Sequence, residues 1–454
     1  MNGRLFREYV GGALLALEAL SFAPRPALSQ DSPAPESLAK SDQLRLPPVQ
    51  LGPIVQRVIH PSEINLIPGE SAPVILIGGG EHLPHEVFDR AVKWAIDSEI
   101  ATRGSEIEQD CSVAVISWAN WDPPGCLEAA RARFGAVSDA IEIREVPTFE
   151  EIFLELAQKL GIESEYQTDS ERATPELIDA VLAALNDPNT AAETELIRKE
   201  VADRIIESLK RSPVLFISGG LQALLVLMFK VFGDVRDFIS LQSQQGRVLV
   251  MGTSAGCAVL GADPVILGNN LEHAAAGSGL SRSLVESLID WERSDGLKCV
   301  VAKRRLGLSR IFWCVDQHHG GPGEDGRYFE DDQVTPLNAF RKDRTDRFAA
   351  LMAVSDTNQT VREKGELDSE SNCLSGPGGF AIWEGAALVV TNARDVFAPL
   401  VLYARAADGD SARSDTLVPA AQYFVGGGKG QVVRLDRGTV WSFEQALSPQ
   451  EPSQ

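Results

Sequence analysis

Cysteine is scarce and scattered in this 454-residue sequence. Cys111, Cys126, Cys257, Cys299, Cys314 and Cys373 form no Cys-x-x-Cys pair, which argues against a zinc ribbon or a dithiol redox motif. Cys111 and Cys126 lie near each other in sequence, but pairing is not readable from spacing, and buried thiols account for them equally well. Histidine is sparse too, with six in the chain, so imidazole chemistry has few carriers. Basic residues are in deficit: 42 Lys plus Arg against 64 Asp plus Glu leave a formal net charge of −22. Such a chain repels nucleic acid and anionic lipid. Acidity accounts for solubility and selects no substrate. Beyond the N-terminus no apolar run approaches the ~20 residues of a membrane span.

What is present is a composition able to bury a core, 44% hydrophobic and 23% charged, which excludes wholesale disorder. The N-terminus has Arg4 and Arg7, then the apolar residues 10–17, then Ala27-Leu28-Ser29. This pattern predicts a secretory signal peptide over residues 1–29, although Glu18 interrupts its apolar region. The expected mature protein is soluble and exported, to the periplasm or the extracellular space. Residues 30–70, Pro- and Ser-rich at first, read as a linker. Residues 71–445 read as one α/β domain with insertions near 163–203 and 320–340, and residues 446–454 as a tail.

Within that domain, Val74-Ile75-Leu76-Ile77 runs into Gly78-Gly79-Gly80, as a buried parallel strand enters a tight turn. Helix is expected over 85–100, strand over 111–117, helix over 126–134, strand over 140–143 and helix over 148–160. The acidic segment 163–200 reads as added surface helices. A strand over 213–218 ends in Gly219-Gly220 before an apolar helix over 221–231, and a strand over 247–251 follows. Short strands are expected at 387–390, 400–403 and 431–435. The alternation predicts a mainly parallel sheet sandwiched by helices.

The strand over 247–251 feeds directly into Gly252-Thr253-Ser254-Ala255-Gly256. A serine between glycines at a strand-to-helix turn has the logic of a nucleophile elbow, in which the side chain projects from a sharp bend. The pentapeptide also arises by chance and in phosphate-binding turns. A hydroxyl nucleophile needs a base. His318-His319 follow an apolar run and Asp316-Gln317, at a strand end where parallel-sheet sites collect. His82 and His85 follow the first Gly-rich turn, and a helix-surface place explains them better than zinc. His60 and His273 carry no supporting context.

The ordered set Gly219-Gly220-Leu221-Gln222, Gly252 to Gly256 and Asp316-Gln317-His318 resembles the cyanophycinases, within the dipeptidase E-like serine peptidases. The resemblance spans about residues 71–435. It implies a three-layer architecture like that of class I glutamine amidotransferases and a Ser-His-Glu arrangement. Ser254 is then the nucleophile and His318 the base. Glu384, in Trp383-Glu384-Gly385, is the acid that orients the imidazole, a solvated strand-end carboxylate being the plainer reading. The oxyanion donors implied are the amides of Ala255 and of Gly219 or Gly220. Gln222, Asp316 and Gln317 would hold substrate. His319 is a rival base, since the family has an aromatic there and neighbours on a strand face opposite sides.

The family's site continues from Asp-Gln-His into a basic run whose guanidinium groups can hold carboxylates bidentately. In this chain residues 320–340 intervene, Gly-rich and acidic, before Arg341-Lys342-Asp343-Arg344-Thr345-Asp346-Arg347. Arg344 and Arg347 match the last two arginines, and the first falls on Lys342 or Arg341. The insertion is read as a lid, a contact for cationic side chains or a solvated loop. Leu221 stands where the family has Asp, and Cys257 where alanine is usual. A thiol nucleophile at Cys257 is rejected because Ser254 holds the elbow.

The resemblance implies hydrolysis of an amide bond through an acyl-enzyme, without metal or organic cofactor. The expected substrate is cyanophycin, releasing β-Asp-Arg dipeptides, or an isoaspartyl peptide. An exported peptidase of different substrate and a peptide-binding protein on a retired hydrolase scaffold are the alternatives. No nucleic-acid or membrane partner is expected, and a homodimer is compatible with the sequence.

Overall fold

The computed structural model describes residues 57–58, 72–79, 85–103, 112–135, 141–162, 173–210, 212–261, 265–289, 291–293, 299–302, 314–319, 344–349, 351–352, 378–390, 395–397, 419–425, 432–436 and 439–442. The expected signal peptide and linker, apart from residues 57–58, lie outside these residues, as do the 320–340 insertion and the strand expected at 400–403.

Five parallel strands form the centre of a nine-stranded sheet: β2 (Val74–Ile77), β3 (Ser112–Ile116), β4 (Glu142–Glu145), β5 (Val214–Ile217) and β6 (Leu249–Thr253). Their order is β2-β6-β5-β3-β4. The sheet continues beyond β2 through antiparallel β12 (Ala387–Val390), β13 (Asp395–Phe397), β16 (Thr439–Ser442) and β1 (Arg57–Val58). Parallel neighbours require long crossovers, and helices supply them.

Alternation along each strand divides its side chains between two cores. Val74, Leu76, Ala114, Ile116, Leu215, Ile217 and Val250 enter one core. Ile75, Ile77, Val113, Val115, Val214, Phe216, Leu249 and Met251 enter the other. The second core is closed by α1 (His85–Arg103) and α2 (Pro123–Gly135), through Phe88, Trp94, Leu127 and Phe134. The first is closed by α3 (Phe149–Lys159), α4 (Pro175–Leu185), α5 (Ala191–Leu209) and α6 (Gln222–Val231). Helices on both faces of a mainly parallel sheet make this an α/β protein. A buried Val, Leu or Ile adds about 1.5–3 kcal/mol, and β2, β3, β5 and β6 each carry at least two, whereas β4 at the sheet edge carries none.

Local chemistry starts these helices where the sequence says. Thr148 caps α3 with a reciprocal box: Glu151 N donates to Thr148 Oγ1 at 3.1 Å and Thr148 N to Glu151 Oε2 at 2.7 Å. Thr174 caps α4 ahead of Pro175, whose missing N–H costs nothing at a helix start. The segment read as surface helices carries α4 and much of α5, which place Leu177, Ile178, Val181, Val201 and Ile205 in the main core.

Two smaller sheets complete the chain. Helix α7 (Gly233–Gln244) leads into β6, and α8 (Ala255–Leu260) leaves it. Then β7 (Val265–Gly268), α9 (Leu271–Ser278), α10 (Arg282–Leu288), β8 (Trp291–Arg293) and β9 (Cys299–Ala302) follow, with the strands ordered β7-β9-β8. A four-stranded sheet, order β10-β11-β14-β15, joins β10 (Cys314–Gln317), β11 (Gly378–Ile382), β14 (Pro419–Val425) and β15 (Val432–Asp436). Within it β10 and β11 are parallel, aligning Gln317 with Ile382. No helix among the described residues is long and apolar enough to cross a membrane.

Candidate active site

Ser254 stands between β6 and α8 with φ 50° and ψ −120°. This backbone conformation is strained for a residue with a Cβ. Its amide donates to Ile77 O at 3.0 Å, so the bend is tied to the neighbouring strand. The turn needs small residues because α8 lies close against the strands, with Gly256 packed on the backbone of Ile217 and Ser218. Projected from this bend, Ser254 Oγ lies 2.7 Å from His318 Nε2.

His318 follows β10 and, like Ser254, has a positive φ, 64°. Its Nδ1 lies 2.8 Å from Glu384 Oε1. A carboxylate accepts, so Nδ1 carries the proton and Nε2 is left to accept from the serine hydroxyl. The His318 and Glu384 side chains are 16% and 17% exposed, so the line is shielded but reachable. Glu384 follows β11, the parallel partner of β10. Serine thus comes from the large sheet, and histidine and glutamate from the four-stranded sheet.

The first Gly-rich turn joins them. Gly78 N donates to Ala386 O at 2.9 Å, Gly385 N to Gly79 O at 2.8 Å, and His318 N to Gly78 O at 3.3 Å. The other pair of glycines lies beside the nucleophile. A Cβ on Gly219 would stand 2.9 Å from Ser254 Cβ, and Gly220, at φ 137°, rests against the Ala119 carbonyl. The Ala255 amide opens α8, where first-turn N–H groups have no intrahelical acceptor. The amides expected as oxyanion donors therefore flank Ser254.

The substrate-binding residues expected from sequence are placed differently from one another. Asp316 is buried, and its carboxylate is taken up internally. Arg344 Nε donates to Oδ2 at 2.9 Å and Nη2 to Oδ1 at 2.8 Å, while His319 Nε2 lies 2.9 Å from Oδ2. Burial opposes the charge of Asp316, but the Arg344 guanidinium and the His319 hydrogen bond outweigh it and hold the carboxyl far below its ordinary range. With the Gln317 amide turned so that its oxygen meets donors, that oxygen accepts from Gln222 Nε2 and Arg344 Nη2, each at 2.9 Å. Gln222, Gln317, Asp316 and Arg344 are therefore one network. Arg347 is buried in the same helical segment, 344–349. Arg341 and Lys342 lie outside the described residues.

The rival nucleophile and base have other places. His319 is buried, its Nδ1 3.0 Å from Thr345 Oγ1, and burial pushes its pKa down against the pull of Asp316. It contacts neither Ser254 nor Glu384 by any hydrogen bond among the described residues. Cys257 is buried in α8, where desolvation pushes its thiol well up. Cys126 and Cys257 carry free thiols. His82 and His60 lie outside the described residues, and His273 is exposed on α9. No protein-family model matches the chain, and no curated protein is significantly similar to it.

Proposed function

We propose that this chain is a serine peptidase that hydrolyses an amide bond through an acyl-enzyme. The observation that carries the reading is the hydrogen-bonded line Ser254, His318 and Glu384, with the serine on a strained strand-to-helix bend. Nucleophile, base and orienting acid are within bonding distance in the order that such catalysis requires.

In this mechanism Ser254 Oγ attacks the scissile carbonyl carbon as its proton passes to His318 Nε2. The carbonyl oxygen becomes an oxyanion that accepts from the Ala255 amide and from Gly219 or Gly220. Collapse breaks the C–N bond, and the leaving amine takes the proton from His318. Water then attacks the acyl-enzyme, its proton again passing through His318, and Ser254 is released. Glu384 holds the Nδ1–H tautomer and offsets the imidazolium charge.

The finer reading follows the family resemblance: a three-layer fold like that of class I glutamine amidotransferases, an exported protein, and cyanophycin or an isoaspartyl peptide as substrate. Gln222, Gln317 and Arg344, joined in one network beside His318, are the groups proposed to meet substrate. Two experiments divide the reading. A fluorophosphonate probe should label Ser254 in the folded protein and leave Ser254→Ala unlabelled; a native protein that does not react loses the serine-peptidase reading. A cyanophycin digest should release β-Asp-Arg dipeptides; an intact polymer together with cleaved Asp-X dipeptides would move the substrate to small peptides.

A further inference from the structure

His318 is held in a backbone conformation that a residue with a Cβ adopts at a cost, φ 64°, and such strain persists only where surroundings over-determine it. The residue directly after it is locked on three sides. His319 Nε2 meets Asp316 Oδ2 at 2.9 Å, His319 Nδ1 meets Thr345 Oγ1 at 3.0 Å, and its ring stands edge-on to Phe348, centroids 5.4 Å apart. The His319 amide also donates to Ile382 O at 3.3 Å, continuing the contact with β11.

The partners fix the tautomer. The Asp316 carboxylate can only accept, so His319 Nε2 carries a proton; in the neutral ring Nδ1 is then the acceptor for the Thr345 hydroxyl, which also lies 3.5 Å from His319 O. Asp316 is in turn held by the two-pronged bond from Arg344. The side chains of His319 and Asp316 are 0% and 1% exposed, so water cannot replace a lost partner. The cluster pins the end of β10 to the helical segment 344–349, which the chain reaches only after 24 intervening residues.

We infer that His319 is a positioning residue for the proposed reaction: as a neutral imidazole bridging Asp316 and Thr345, it clamps the backbone that presents His318 Nε2 to Ser254. This rests on the reading of Ser254, His318 and Glu384 as catalytic. An aromatic ring at position 319 would keep the packing against Phe348 but remove the ring's bonds to Asp316 Oδ2 and to the Thr345 hydroxyl, leaving Oδ2 to Arg344. A glutamine can both donate to Asp316 and accept from Thr345.

The test compares His319→Phe, His319→Gln and Thr345→Val with the full-length parent, by fluorophosphonate labelling rate and by the downfield proton resonance of the His318 Nδ1–H to Glu384 bond. His319→Phe should slow labelling about 100-fold, the cost of a displacement near 1 Å in a reacting group, and should shift or broaden the resonance. His319→Gln should restore both readouts to near the parent's. Thr345→Val, which leaves the Asp316 bond intact, should slow labelling about 10-fold, and it keeps the inference testable if the Phe variant does not fold. A folded Phe variant, or Thr345→Val, with parental labelling and an unmoved resonance would overturn the inference. A parent protein that carries the resonance but is not labelled overturns the catalytic reading alone, because the resonance still reports whether position 319 places His318.

Discussion

Gly79 lies so close to His318 that a Cβ at position 79 would stand 2.5 Å from the ring carbon Cε1 and 2.8 Å from Nε2. The glycine's φ is 93°, a region other L residues rarely enter. Space and backbone therefore demand glycine at the same atom. Gly79→Ala should push the imidazole away from Ser254 and slow hydrolysis and probe labelling about 100-fold. Strain should also lower stability by about 1–2 kcal/mol. Labelling kinetics and urea melts measure the two effects separately, and parental labelling would mean that His318 tolerates displacement.

Glu384→Gln keeps the shape of the acid but not its charge. The amide can present N–H to His318 Nδ1 and so favour the wrong tautomer. On the precedent of the analogous aspartate change in a serine protease triad, kcat should fall about 10⁴-fold. KM should change little, since Glu384 meets His318 rather than substrate. A fall carried mainly by KM would place Glu384 in binding.

Ser254→Ala and Ser254→Gly both remove the hydroxyl and its bond to His318, and neither should retain turnover. They differ in backbone strain, because glycine accepts φ 50° freely. Relief of about 1–2 kcal/mol of strain should match or exceed the extra chain entropy glycine loses, about 0.5–1 kcal/mol. The Gly variant should therefore melt no lower than the Ala variant. A clearly lower midpoint for Gly would show that the elbow is not strained.

The carboxyl of Asp316 is depressed in the folded state, so its contribution to stability is fully present above its unfolded pKa, about 3.9. Below that the unfolded chain binds the proton first, and stability falls with falling pH. As pH falls below about 4, the parent should lose stability more steeply than Asp316→Asn. At neutral pH the Asn variant should be less stable by about 3–5 kcal/mol, since Arg344 is left without its counter-charge. Pairing it with Arg344→Met should recover part of that loss. Denaturant melts across this pH range decide the matter.

The central sheet was legible because β2, β3, β5 and β6 are unbroken apolar runs, each ending in a turn or helix start. Buried parallel strands leave that mark. The strand over Pro419–Val425 was missed, since it is not a simple apolar run. The elbow at Ser254 was readable from strand, small residues and helix in succession. Choosing between His318 and His319 was harder, because the left-handed turn at His318 ends the alternation of β10. The fate of Asp316 was hidden: its partner Arg344 lies 28 residues away, and neither burial nor a two-pronged bond can be read from spacing.

Ser254 is supplied by the nine-stranded sheet, and His318 and Glu384 by the four-stranded one. In the proposed reaction, reactivity is therefore a property of how the two sheets dock and of neither sheet alone. A loosened form that keeps its helices and strands but lets the sheets slide by an ångström would look native by circular dichroism and be chemically silent. Probe labelling would then serve as a strain gauge for the joint, failing before any secondary structure is lost.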